Sequence, residues 1–274
     1  MYQIDPPRSP KEVLPTMYDL KSEDPEEPGL PDEFHDLQPE LLRITFHPPS
    51  YSPDSVFIAS DLNLYYDPHH FNWYKRPDWF AVIGVSRLYE QRDLRLSYVT
   101  WQEGVNPFVI VELLSPGTES EDLGQTLREI NQPPTKWEVY ERVLRIPYYV
   151  VFSRYTNQLR VFQNSASRYQ ELTVSDSRIW MPELELGLGL WQGCYQGIAG
   201  CWLRWYDQNQ NWIPTPIEQI EQERLRTEQE RLRAEQERLR AEQERLRTEQ
   251  ERQKVEQLEA ILQRYRQQYG DLPQ

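Results

Sequence analysis

The chain has 274 residues, with 30 Lys and Arg against 44 Asp and Glu, a formal net charge of -14, and 38% hydrophobic residues. That length accommodates one globular unit of roughly 200 residues plus an appendage, and the acidic balance argues against a broad nucleic-acid-binding surface, which needs lysine and arginine for its phosphate contacts, while leaving room for a local basic groove. No apolar run approaches the roughly 18 to 20 residues that span a bilayer, and the opening MYQIDPPRSP lacks the apolar core of a secretion signal, so the expectation is a soluble, cytoplasmic α/β protein.

Residues 1–30 are rich in proline and acidic side chains and lack hydrophobic periodicity, which favours extended chain carrying little chemistry. Pro31 to Leu42 then shows helix-start chemistry at Asp32, with Phe34, Leu37, Leu41 and Leu42 spaced for one buried face and Pro39 expected to break or kink it. From Val56 the composition turns to short β-branched and aromatic runs bounded by Pro, Asp, Asn or Ser: VFIASDLNLYY, WFAVIGV, PFVIVELL, YYVVFS, QLRVFQ and RYQELTV, all read as strands. Trp79 to Val85 and Phe108 to Leu114 are almost uninterrupted apolar runs, as expected of central strands covered on both faces. YYVVFSRYTNQLRVFQN predicts a hairpin turning at Tyr155 to Asn157, with RYQELTV pairing next.

Between the second central strand and that hairpin, Ser120 to Leu144 has helical character interrupted by Pro133 and Pro134, which predicts one or two crossover helices flanking the sheet. WLRWYDQNQNWIPTP predicts a last hairpin with Asp207 to Asn211 as its turn, and the body is expected to span 31–217. The two cysteines, Cys194 and Cys201, fit no zinc, redox or disulfide spacing and are expected to be buried thiols.

The remainder, 218–274, is a seven-residue repeat running EQERLRT, EQERLRA, EQERLRA, EQERLRT and then EQERQKV. It holds 14 acidic and 12 basic residues, which leaves -12 for the first 217. Its charges fall at i,i+3 and i,i+4, each pair worth about 0.2–0.5 kcal/mol to a helix. Leu225, Leu232, Leu239 and Leu246 line one edge, but Gln222, Gln229, Gln236 and Gln243 fill the other seam position and weaken a zipper. Val255, Leu258, Leu262, Tyr265 and Tyr269 keep a 3,4 spacing, so a coiled-coil homo-oligomer through that end and a solitary charged helix both stay open.

Two carboxylates attach to the central strands. Asp78, in KRPDWFAVIGV, enters the first, and Glu112, in PFVIVELLSPGTE, lies within the second. A charge inside an apolar strand is costly unless paired or metal-bound. Adjacent strands would bring both within reach of one divalent cation, and Mg2+ favours one or two carboxylates with waters and substrate phosphates. His69 and His70 have no ligand-spaced partner for zinc, and the aromatic group Tyr65, Tyr66, Phe71, Trp73, Tyr74 and Trp79 is expected in packing rather than base stacking.

These residues resemble the PD-(D/E)XK restriction-endonuclease-like superfamily, and within it the Uma-two family of endonucleases. The likeness runs from about Glu33 to Val151, with looser similarity to Trp191. Pro77-Asp78 resembles the PD element, Glu112 the acidic residue of the second strand, and Ser115-Pro116-Gly117-Thr118 the Ser-Pro turn behind it. The usual lysine two residues after the glutamate is absent, since Leu114 stands there. Lys136-Trp137-Glu138-Val139-Tyr140 resembles the family's displaced Lys-x3-Tyr element, and Ile146-Pro147-Tyr148-Tyr149 stands where the family has Gly-Val-x-Tyr-Trp.

The resemblance implies a mixed central sheet flanked by helices, and Mg2+-dependent hydrolysis of DNA, with Mn2+ as a possible substitute. Asp78 and Glu112 would hold the metal, and Lys136 would orient water or stabilise developing charge. Glu33, Asp122 and Tyr140 are possible supporting residues: Glu33 as a helix-start acid or extra ligand, Asp122 and Glu121 as caps of the crossover helix or members of the site, Tyr140 beside Lys136. The rival expectation is an inactive nuclease-like scaffold that presents the tail to a protein partner.

Overall fold

The computed structural model describes residues 32–115, 119–125 and 132–270; the predicted extended segment 1–30 and Pro116–Thr118 of the Ser-Pro turn lie outside them. The chain divides into two compact units, one ending at Thr215 and the other beginning at Pro216.

Helix α1 (Phe34–Thr45) buries Phe34, Leu41 and Leu42, and the Asp32 carboxylate accepts the backbone N–H of His35 at 3.2 Å, satisfying a first-turn donor. Pro39 does not break it: the helix passes through Pro39 and ends three residues beyond the predicted Leu42. An interior proline costs about 3 kcal/mol, and here the side chains buried on both sides of it hold the backbone helical.

The strands are β1 (Val56–Ala59), β2 (Leu64–Tyr65), β3 (Tyr74–Lys75), β4 (Trp79–Ile83) and β5 (Tyr98–Val99), followed by the short α2 (Thr100–Glu103) and β6 (Val109–Leu113). The crossover carries α3 (Glu119–Asp122) and α4 (Lys136–Glu138), the latter running into a π-helical turn at Val139–Val143. Then come β7 (Tyr148–Ser153), β8 (Gln158–Ser165), β9 (Arg168–Glu171), β10 (Arg178–Met181), β11 (Leu186–Tyr195), β12 (Ile198–Tyr206) and α5 (Pro216–Tyr269).

VFIASDLNLYY is therefore not one strand. The chain turns at Asp61, whose φ is +51°, and β1 and β2 enter different sheets. The six-stranded sheet has the order β1-β4-β6-β7-β8-β9, antiparallel except for β6 and β7, which run parallel. A parallel neighbour requires a crossover, and the segment predicted helical supplies it, though as short turns among the described residues rather than a long helix. The Tyr155 to Asn157 turn stands as predicted, with Ser153 paired to Gln158.

Successive residues on the central strands feed opposite cores. Trp79, Ala81, Val109, Val111, Tyr148 and Val150 face α1 and the β10-β11-β12 sheet, whereas Phe80, Val82, Ile110, Tyr149 and Val151 face the crossover with Val139 and Tyr140. That double cover explains the nearly continuous apolar runs. β11 and β12 form a hairpin absent from the predicted elements, turning on Gln196 and Gly197, both at positive φ. The Asp207–Asn211 turn closes with a 2.9 Å backbone bond, and its return arm pairs with β12 through the Tyr206–Trp212 bridge and the Ile213 N–H, which donates to the Trp205 carbonyl at 3.0 Å, so the predicted last hairpin forms with a very short return arm. Cys194 is exposed and Cys201 half-buried, against the expectation of buried thiols, because both lie on strand stretches near the turn of the β11-β12 hairpin.

The second unit is the single 54-residue helix α5, laced by Arg226–Glu230 at 3.1 Å, Arg231–Glu228 at 3.1 Å and Arg252–Glu256 at 3.2 Å. Among the described residues no helix is long and apolar enough to cross a membrane.

Candidate active site

The register of β4 and β6 places the two strand carboxylates. Trp79 pairs with Val111 in an antiparallel ladder, so the preceding residue, Asp78, falls opposite Glu112. Residues directly opposite in such a ladder project on the same side. Glu112 shares the face of Ile110, toward the crossover, and is fully buried. The Asp78 carboxylate accepts the Leu113 N–H at 2.6 Å, and the Asp78 N–H donates to Glu112 Oε2 at 3.4 Å.

The crossover then brings three more groups. Thr135 caps α4 reciprocally with Glu138, which fixes the first residue of that helix, Lys136. Its Nζ lies 3.0 Å from Glu112 Oε2 and 3.0 Å from Asp122 Oδ1. One helical turn on, the Tyr140 hydroxyl donates to Glu112 Oε1 at 2.9 Å, while Tyr149 on β7 donates to the Asp122 carbonyl at 2.9 Å. Asp122 is buried, and its Oδ1 meets the ammonium at ion-pair distance with no hydrogen bond made to that oxygen among the described residues. Asp78, Glu112, Lys136, Asp122 and Tyr140 thus form one cluster.

Its electrostatics follow from burial of unequal charge. Burial pushes the Glu112 carboxyl well above the ordinary carboxylate range; Lys136 opposes the rise, and the charges of Asp78 and Asp122 add to it. Burial also raises Asp78, against the pull of Lys136 and the Leu113 N–H. For Lys136, burial alone lowers the ammonium, but Glu112, Asp122 and Asp78 together outweigh it and hold its pKa well above the usual lysine value. Burial likewise raises the Tyr140 phenol well above its normal range, with Glu112 adding to the shift. The lysine stays charged, surrounded by more acids than its one charge can neutralise.

The family model described as "Uma2: Putative restriction endonuclease" matches residues 15–197 of this chain, well over half of it. The chain belongs to the Uma2 family. No curated protein matches it. In this Uma2 member, both halves of the PD and glutamate pattern and the displaced lysine meet in space, so the gap of 24 residues between Glu112 and Lys136 is closed by the crossover.

Glu33 is not part of the cluster. It is exposed at the start of α1 and lines a separate cleft with Arg154 and Trp202, because the helix turns its opposite side to the sheet. Asp122, given above as a helix cap or a site residue, binds Lys136; Glu121 pairs with Lys75 at 3.6 Å. Tyr140 is fully buried and contacts Glu112 rather than Lys136. The residue that α1 does send toward the strand is His35, unremarked in the sequence: its Nε2 lies 3.1 Å from the Leu113 carbonyl and its Nδ1 2.8 Å from Asp32, itself paired to Arg154 at 2.7 Å. The i,i+3 spacing of Asp32 and His35 on a helix start was the available signal.

His69 and His70 both contact Asp67, and His70 stacks on Trp73 at 3.8 Å. Of the aromatic group, Trp79 and Tyr66 are buried, whereas Phe71 is 73% exposed, so packing accounts for only part of it. A cleft of about 740 Å3 lined by Arg43, Arg87 and Arg95 along β1 contains none of the cluster residues.

Proposed function

We propose that this protein hydrolyses DNA phosphodiester bonds as a Mg2+-dependent endonuclease, with Mn2+ able to substitute. The observation that carries this is the convergence of Glu112 and Asp122 on the one Lys136 ammonium, with Asp78 bonded to Glu112 through its N–H beside them, which leaves two negative charges in excess when all are ionised. The donor chemistry suits a hard divalent ion. Among the described residues no group of three or more His, Cys, Asp or Glu is arranged to hold a metal, and Mg2+ is served by one or two carboxylates completed by water and phosphate. The buried Asp122 Oδ1, at ion-pair distance from Lys136, adds negative charge beside them.

Asp78 and Glu112 would hold the ion. When bound, Mg2+ supplies Lewis-acid polarisation of a phosphoryl oxygen and acidifies a water. The chain's own residues do the rest: Tyr140 and Lys136 clamp the two Glu112 oxygens, Asp122 keeps the lysine turned into the cluster, and the ammonium offers its charge to the oxyanion that develops at phosphorus.

The test is cleavage of duplex, single-stranded and branched DNA with Mg2+ or Mn2+. Glu112→Ala is expected to lose at least about 100-fold in rate while keeping the wild-type circular dichroism, with Glu112→Gln as the isosteric check on folding. Retained Mg2+-dependent cleavage in a folded Glu112→Ala ends the proposal. Calorimetric titration of Mg2+ against wild type and Asp78→Asn separates it from the inactive scaffold, which binds no ion at this site.

A further inference from the structure

The charges of α5 (Pro216–Tyr269) follow a phase that the candidate site does not use. With Leu225, Leu232, Leu239 and Leu246 as position d of a heptad, position a is Gln222, Gln229, Gln236 and Gln243. Position g is then Glu221, Glu228, Glu235, Glu242 and Glu249, and position e is Arg226, Arg233, Arg240, Arg247 and Lys254. All five g residues are acidic and all five e residues are basic.

In a parallel in-register pair of helices, each g side chain meets the e side chain five residues further along the other helix. Glu221 of one copy then faces Arg226 of the other, and the match repeats through Glu249 and Lys254. An antiparallel pair instead sets g against g and e against e, so glutamates meet glutamates and arginines meet arginines. The last substitution in the repeat supports the same phase, since position e changes from arginine to lysine and keeps its charge while position d becomes Gln253.

In the single helix these charges turn back along their own chain: Arg226 at e binds Glu230, and Glu228 at g binds Arg231. That lacing leaves the leucine edge uncovered, with Leu225 at 55% and Leu232 at 48% exposure. We propose that residues 221–254 pair with the same residues of a second copy of this chain as a parallel, in-register, two-stranded coiled coil. The leucines fill the d layers, and the glutamines at a meet their own counterparts across the seam, which specifies register at a cost in affinity. The apolar run Val255, Leu258, Leu262 and Tyr265 starts two residues after Gln253 and out of this phase, so the pairing belongs to the repeats rather than to the end of the helix. Such a dimer is isologous and brings a second candidate cluster into the same assembly. It does not depend on the nuclease reading, because its readout is mass and cross-linking rather than cleavage.

The test uses the full chain. Light scattering at about 100 µM, where an association of roughly 10 µM is largely complete, is expected to give the dimer mass. Leu225→Cys, with Cys194→Ser and Cys201→Ser, is expected to form an inter-chain disulfide on mild oxidation, since an off-centre residue meets itself only in a parallel register. Reversing g (Glu228→Arg, Glu235→Arg, Glu242→Arg) or reversing e (Arg233→Glu, Arg240→Glu, Arg247→Glu) is expected to weaken self-association at least tenfold. Mixing the two variants is expected to restore a dimer. A monomeric wild type, a dimer that Leu225→Cys fails to cross-link, or charge variants that associate alone as well as mixed would overturn the proposal.

Discussion

Replacing Lys136 by Met removes the only cation that the described cluster supplies to its carboxylates, while keeping much of the apolar stem. The ammonium lies 3.0 Å from both Glu112 and Asp122, whose side chains are 0% and 1% exposed. Removing one partner of a buried ion pair costs about 3–5 kcal/mol, and the 20% exposure of the lysine side chain favours the lower part of that range. The variant has an escape, because Glu112 is already raised well above the ordinary carboxylate range and loses the lysine that opposed the rise. The folded variant therefore keeps a proton that its unfolded chain releases. A carboxyl with a raised folded pKa loses stability as pH climbs from its unfolded value through the folded one, at about 1.4 kcal/mol per unit. Glu112 is raised in the wild type too, so only the further rise that follows loss of the ammonium separates the two proteins, and the destabilisation by Lys136→Met is expected to be larger at about pH 8 than at about pH 5.5. Urea unfolding of wild type and Lys136→Met at both pH values, with chelator present, measures it. A cost below about 1 kcal/mol at pH 8, or one that does not change with pH, refutes the account of Glu112 and Asp122 sharing one ammonium.

Two further changes probe the cluster and its support. Tyr140→Phe deprives Glu112 Oε1 of its 2.9 Å donor; denaturant unfolding is expected to register a loss of about 1–3 kcal/mol, and the pH midpoint of the proposed Mg2+ binding should move upward because the ionised form loses a hydrogen bond. Gly187→Ala drives a Cβ into the ring of Tyr206, its partner across the β11-β12 ladder. It is expected to cost about 1–3 kcal/mol, largely relieved by a simultaneous Tyr206→Leu, and an unchanged melting temperature for the single variant would rule out this close approach.

The central strands were legible because each is apolar on both faces, a pattern that survives in one dimension as an unbroken run. Glu112 stood out for the same reason, as a charge in a run that otherwise tolerates none. The heptads of α5 were equally plain, since a seven-residue repeat of good helix formers needs no tertiary partner to declare its period. The division of VFIASDLNLYY between two sheets was not legible, because it hangs on a positive φ at Asp61, which the residue type permits but does not demand. Pro39 misled in the opposite direction: local propensity argues for a break, and the side chains buried on either side of it override that preference.

The sequence by itself determined a mixed α/β body, a charged repetitive helix and the resemblance carried by Asp78, Glu112 and the Lys136–Tyr140 element, since each depends on composition or spacing within a few residues. Only the tertiary structure decided which acids meet. Asp122 joins the cluster and Glu33 does not, Tyr140 serves the glutamate rather than the lysine, and His35 reaches the strand that carries Glu112. Those outcomes depend on strand register and on the path of the crossover between two parallel strands. Such long-range pairings are set by the summed burial of both cores, and no local stretch of residues records them.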